Sequence, residues 1–377
     1  MVLSRFLVSS IIKARVGLTV FSKSDYSSLT NFRLCTTASN NIFEERKVFK
    51  RSFESKPNFR NEGHKKFVAL QTKDLSKADI ENMLVPYNYY LSVPNERFGY
   101  GLMEGFNYWM KLPSDVIEFV NNIWVSAYEA GALLDDIVDE SHSRRGLLTS
   151  PQLLGIGRTA ICSQGVFFLI LKRISELNNP KAVETYINSM IMYCVGLYKE
   201  TDNTKKMICP TLSEFEETCI NKCDGIAGLP IKMMQVLSDT KTDYTHLLHL
   251  FSLHCQYIND VANMSEQKTW NAKSYLEDIS EGKFTLPTIH AVRSGTFEGQ
   301  TVHNILRSKT KDVATLSYCL SLLEKLGSIE FAINTTRSLE NKIREEIKKF
   351  GGNPPLEEYL DTIMNLSYDE KYPTYTK

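Results

Sequence analysis

The stretch SDVIEFVNNIWVSAYEAGALLDDIVD, residues 114–139, decides how this chain folds. Its apolar residues are Val116, Ile117, Val120, Ile123, Trp124, Ala127, Ala130, Leu133, Leu134 and Ile137. They recur in steps of three and four, the spacing of a helix face rather than of a strand. Pro113, Ser114 and Asp115 supply a start signal. The pattern predicts a long buried helix that ends on carboxylates.

The same period continues outward from this stretch, from about Lys77 onward. It predicts helices over 151–176, 181–200, 212–238, 243–268, 285–293, 301–307, 311–326, 328–349 and 355–366. Turn residues punctuate it at 178–180, 209–210, 238–240, 295–296 and 351–355. No stretch alternates convincingly as a strand does. The expectation is one all-α domain, residues 66–377, with helices packed around a central space.

Composition narrows the function. The chain has 377 residues, 42% hydrophobic and 23% charged, with 44 basic residues against 44 acidic ones. A net charge of zero lacks the electrostatic footprint of a nucleic-acid binder. No apolar run approaches the roughly 20 residues that span a bilayer. The eight cysteines show no CxxC and no Cys/His zinc spacing, so reduced thiols in a non-secretory compartment are expected. Cys219 and Cys223, four apart, read as core residues in preference to a zinc half-site.

The first 40 residues hold Arg5, Lys13, Arg15, Lys23 and Arg33 but a single acid, Asp25. With their abundant Ser and Thr, this is a mitochondrial transit-peptide composition. A polar linker is expected to follow, so that residues 1–65 form an address and a tether.

Two constellations carry chemistry. Asp135 and Asp139 share a helix face, with Asp136 beside them and Arg144, Arg145 and Gly146 just beyond. Like charges so placed repel unless a cation neutralises them. Mg²⁺ suits such a pair, since it completes its octahedron with water and phosphate oxygens. The Arg pair suits phosphate. The plainer reading is a solvated acidic helix end with a basic loop. The second face holds Gln256, Asn259, Asp260, Asn263 and Gln267, all oxygen donors on one side of a helix. It reads as a second metal face or as an ordinary polar surface. Lys222, Lys273 and Lys283 are candidates to complete a diphosphate cage.

Taken together, these motifs resemble the trans-isoprenyl diphosphate synthases, most of all the animal geranylgeranyl diphosphate synthases. The resemblance runs from about Leu84 to Leu366. It rests on residues 134–139, on Ser143-Arg144-Arg145-Gly146, on Met234-Gln235-Val236-Leu237-Ser238-Asp239, on Asp260-Val261-Ala262-Asn263, on the run 273–291 and on Gly351-Gly352-Asn353-Pro354. It implies an all-α isoprenoid synthase fold, commonly a homodimer, with two Asp-rich motifs facing each other across a deep pocket. Three Mg²⁺ ions would hold a prenyl diphosphate there. By that resemblance the metal ligands are Asp135, Asp136, Asp139, Asn259, Asp260 and Asn263. Asp135, Asp136, Asp139, Lys222 and Asp260 would be catalytic. Arg144, Arg145, Lys222, Gln256, Lys273 and Lys283 would bind substrate.

Departures from the family pattern matter as much. In the family a second substrate, isopentenyl diphosphate, binds a basic cluster. Here Glu96 stands at its Lys, Gly99 at its Arg and Tyr128 at a His, leaving Arg145 in place and Arg97 displaced by one position. The second motif begins with Asn259 instead of Asp, drifting toward the metal motif of class I terpene synthases. The Gln-Gly-x-x-x-Asp helix is degraded at Cys194-Val195-Gly196-Leu197-Tyr198. The expectation is therefore a terpene synthase on a prenyltransferase scaffold. The alternatives are a chain-elongating synthase and a non-catalytic partner subunit. Tyr128, Phe167, Phe168 and Tyr257 are candidate aromatic walls, and the small Ala130 and Gly131 are expected to leave room next to the Asp motif.

Overall fold

The computed structural model describes residues 75–92, 98–145, 147–265 and 276–368. The expected address and tether (1–65), Glu96, Arg97, Gly146, Gln267 and Lys273 lie outside the described residues. Helices follow one another as α1 (Lys77–Met83), α2 (Val85–Leu91), α3 (Phe98–Met110), α4 (Ser114–Val138), α5 (Ser150–Leu154), α6 (Ile156–Ser175), α7 (Pro180–Lys206), α8 (Leu212–Ile226), α9 (Leu229–Leu237), α10 (Thr245–Ser265), α11 (Glu277–Ser280), α12 (Leu286–Arg293), α13 (Phe297–Ser308), α14 (Val313–Lys325), α15 (Ser328–Lys349) and α16 (Pro354–Tyr368). The fold is all-α. The strands among the described residues are two short ones, β1 (Ser143–Arg144) and β2 (Leu147–Leu148), paired antiparallel with Arg144 opposite Leu147.

The helix read from residues 114–139 lies at the centre. Residues 126–133 of α4 are all buried, so this segment has no solvent face. Helix α4 packs on α6 and α9, while α8 crosses α7 on one side and α10 on the other. Helices α7 and α8 approach closely because Gly196 lacks a side chain: a Cβ there would fall 2.3 Å from the Lys222 backbone nitrogen. That crossing brings the C-terminal half of α7 over the end of α4.

Three boundaries differ from the sequence reading. The expected helix 212–238 breaks at Gly228, because Pro230 lacks the N–H a continuing helix needs and instead sits in the first turn of α9. The expected 151–176 breaks at Gly155, whose φ is 88°. Helix α7 runs on to Lys206, where Met207 takes a left-handed cap at φ 53°.

The α10–α15 seam contains a titratable residue with no polar partner. His254 is fully buried and neither ring nitrogen makes a hydrogen bond. Burial, with nearby Arg344 adding to it, lowers its pKa to about 3. The unfolded chain takes up this proton below about pH 6.5, whereas the native fold resists it. The stability His254 contributes is therefore intact above that pH and is lost as pH falls toward 3, with a slope of up to about 1.4 kcal/mol per pH unit. Replacing His254 by Leu should remove this slope. The expected gain over wild type is about 2–3 kcal/mol at pH 4.5 and much less at pH 7.5, read from urea unfolding at the two pH values. An equal change at both would refute it.

Candidate active site

Three helices meet over the end of α4. Asp135 comes from its last turn and Asp139 from its cap, one turn apart on the same face. Glu200 of α7 joins them, and one carboxylate oxygen from each of the three lies within 4.8 Å of the others. Carboxylates at a helix C-terminus face the negative end of its dipole, and the last turn of α4 has no basic residue. The balancing charges arrive from elsewhere. Lys222 of α8 sits 3.3 Å from Asp135 Oδ1 and bonds Glu200. Lys283, just before α12, places Nζ 2.6 Å from Asp139 Oδ2 and 2.9 Å from Glu281.

The electrostatics follow from this crowding. Burial, reinforced by Asp135 and Glu281 against the pull of Lys283, holds the Asp139 carboxyl well above the usual carboxylate range. Burial alone would pull Lys222 and Lys283 down. The carboxylates around each more than offset that, and both ammonium groups are held well above their ordinary range. Asp278 adds further negative charge beside Lys283, and the Asp260 carboxyl lies near Asp278 and Glu200. Carboxyls outnumber the buried cations Arg144, Lys222 and Lys283, and a hard divalent cation suits such an oxygen-only donor set. The residues present therefore fit Mg²⁺ at Asp135, Asp139 and Glu200.

Asp136 does not join them. Arg144 grips it with Nε at 2.7 Å and Nη2 at 2.6 Å, and the Tyr90 hydroxyl donates to it as well. It is fully buried. Consecutive helix positions point about 100° apart, which is why one Asp of the pair serves the cavity and the other anchors the β1–β2 hairpin. Arg144 also reaches Asp135 at 3.3 Å and so links anchor and site.

Asp260 makes two hydrogen bonds of its own. Its Oδ2 accepts from the Leu286 amide at 2.7 Å and its Oδ1 from Gln256 Nε2 at 2.7 Å. This caps α12 and ties α10 to it. Burial raises the Asp260 carboxyl well above its usual range, with the Leu286 amide opposing. Asn259 and Asn263 are half-buried on the same helix, and Asn263 Oδ1 has no hydrogen-bond partner.

Arg145 occupies the hairpin turn with φ at 53°. Its Nη2 lies 3.0 Å from both carboxylate oxygens of Glu129, and its Nη1 donates to the Tyr90 carbonyl at 3.3 Å. Both side chains are 2% exposed. The last family cation expected at the second-substrate site thus already holds an internal carboxylate.

A cleft of about 380 Å³, counted out to open solvent, adjoins the cluster. Glu200, Lys222, Gln256 and Thr218 form its polar side, and Pro210, Phe215, Cys219 and Phe284 its apolar side. The expected aromatic walls are placed differently. Phe168 is 70% exposed on the outer face of α6. Tyr257 is buried, stacked on Phe215 at 6.3 Å with its hydroxyl donating to Glu216. The room expected beside Gly131 is filled. The Tyr193 hydroxyl donates to the Gly131 carbonyl at 3.0 Å, and a Cβ on Gly131 would fall 2.4 Å from Ile226 Cδ1. The small residue serves close helix packing there. Cys219 and Cys223 are core residues whose thiols burial raises, Cys223 to about 12.

Comparison with known proteins agrees with this architecture. The polyprenyl synthetase family profile matches residues 87–323. The chain belongs to the polyprenyl synthetase family. Among its relatives is a terpene synthase of Matsumurasca onukii, 34% identical over 76% of this chain and 94% of that protein. A geranylgeranyl pyrophosphate synthase of Mucor circinelloides f. lusitanicus is 32% identical over 78% of this chain and 96% of that protein. Another, of Dictyostelium discoideum, is 29% identical over 78% and 96%. Within this polyprenyl synthetase frame, Glu200 is the site residue the sequence reading missed. The family's Gly-x-x-x-Asp spacing survives as Gly196-Leu197-Tyr198-Lys199-Glu200, and counting two residues further would have found it.

Proposed function

We propose that this polyprenyl synthetase is a terpene synthase. It ionises an allylic prenyl diphosphate, geranyl or farnesyl diphosphate, to a terpene hydrocarbon or alcohol and diphosphate. The observation that carries this reading is the Arg145–Glu129 pair. A second diphosphate leaves water only for several cationic donors. Glu96, Gly99 and Tyr128 stand where the family has three of them, and Glu129 occupies the fourth. Chain elongation therefore lacks a seat for its second substrate. The intact Asp135, Asp139 and Glu200 cluster speaks against a subunit with no chemistry of its own.

Mg²⁺ held by Asp135, Asp139 and Glu200 would supply the positive charge that draws electrons into the leaving diphosphate. Lys222 and Lys283 stand over the same carboxylates and donate to the oxygens on which charge develops. Arg144 keeps Asp135 oriented. The apolar side of the cleft keeps bulk water from the allylic cation. The diphosphate is the nearest base for the proton that the cation loses. Full-length protein with Mg²⁺ and geranyl or farnesyl diphosphate alone should release inorganic diphosphate and a volatile product, and chelation should stop both. No release without isopentenyl diphosphate would overturn the assignment.

The reading includes a homodimer. Ile187, Ile191, Val195 and Tyr198 form an exposed stripe along α7, and Ile161 and Phe168 are exposed on the adjoining α6. An apolar face of this kind supports pairing of two copies. Ile191→Glu should turn a dimer into a monomer in analytical ultracentrifugation with its helical circular dichroism unchanged. A monomeric wild type would end this part of the reading.

A further inference from the structure

Pro210, in the α7–α8 turn, and Phe284 both line the cleft. Side chains outside the cleft hold both. Arg293, in the last turn of α12, donates Nε to the Pro210 carbonyl at 2.5 Å and Nη2 to the Cys209 carbonyl at 2.9 Å. His303 of α13 sets Nε2 3.0 Å from the Met207 carbonyl, and its ring lies 5.9 Å from that of Phe284. These carbonyls follow the end of α7, where no intrahelical partner is available. Met207 is a non-glycine residue at φ 53°, a conformation that persists where surrounding contacts fix it. The same α7 carries Glu200, two turns back.

We propose that Arg293 and His303 are positioning residues that hold this part of the cleft wall in place, limit the water that reaches the cation, and so set the ratio of hydrocarbon to alcohol. The inference rests on the terpene-synthase reading. The allylic C–O bond breaks with its electron pair leaving on diphosphate. The cation then follows one of two courses. A neighbouring C–H bond yields its electrons to a new C=C bond and its proton to the diphosphate. Otherwise a water oxygen bonds to the cation and releases a proton. Both courses start from the same ionised state, so a loosened wall changes their ratio more than it changes ionisation.

The test uses the full chain with Mg²⁺ and geranyl or farnesyl diphosphate, counting inorganic diphosphate, hydrocarbon and alcohol separately. In Arg293→Ala the alcohol-to-hydrocarbon ratio should rise at least about threefold, with diphosphate release within about twofold of wild type. Arg293→Lys, which keeps the charge and one donor at a time, should fall between. His303→Phe keeps the ring against Phe284 and loses the bond to Met207. It should shift the ratio in the same direction, and it carries the test if Arg293→Ala does not fold. A ratio unchanged in folded variants that still release diphosphate would overturn the proposal alone. A wild type that releases no diphosphate would overturn the terpene-synthase reading, and this proposal with it.

Discussion

Asp135→Asn lowers Mg²⁺-dependent turnover of an allylic diphosphate by about 10²–10³-fold or more, the scale of losing one preorganised electrostatic group. The substitution keeps the side chain's shape and removes its charge. Lys222 retains Glu200 and Arg144 retains its two bonds to Asp136, so neither cation is stranded in the core. The loss therefore falls on the carboxylate cluster and spares most of the fold. Steady-state diphosphate release at saturating Mg²⁺, beside circular dichroism, separates the two. Near-wild-type turnover in a folded variant would remove Asp135 from the metal site.

The second large effect is a gain. Restoring Lys at 96 and Arg at 99 returns two cations, yet Arg145 stays occupied while Glu129 keeps its charge. Glu129→Gln leaves a neutral acceptor for the guanidinium and frees its charge for a diphosphate. The triple change Glu96→Lys, Gly99→Arg and Glu129→Gln should raise incorporation of isopentenyl diphosphate at least about tenfold over wild type, with each single change doing less, because these groups would grip one ligand and do not act independently. Close charge pairs near a protein surface carry on the order of a few kcal/mol, enough for such a shift. Radiolabel in longer prenyl diphosphates measures it. A folded triple variant with no more label than wild type would show that the missing cations are not what excludes the second substrate.

The sequence conveyed periodic and local features well. The centre of the fold was legible because the apolar residues of α4 recur in steps of three and four, and the first carboxylates because Asp135 and Asp139 share its face. The pairing of Asp136 with Arg144 and Tyr90 was not legible, since a motif names three acids without saying what each touches. A helix turns about 100° per residue, so adjacent acids meet different neighbours. Glu129 was passed over within an apolar run, because its role depends on Arg145, 16 residues on and across a hairpin turn. Phe168 and Gly131 failed for a related reason. Neither aromaticity nor small size says whether a residue faces a cavity, a neighbouring helix or solvent. Only the packing of α6, α7 and α8 decides that.

The central claim is that one prenyl diphosphate, and not two, is used. The most direct measurement gives full-length wild-type protein Mg²⁺, geranyl or farnesyl diphosphate and radiolabelled isopentenyl diphosphate together. Released diphosphate and volatile terpene, with no label in any longer prenyl diphosphate, is the result expected. Label accumulating in a longer prenyl diphosphate as the main product would contradict it and make this chain an elongating synthase.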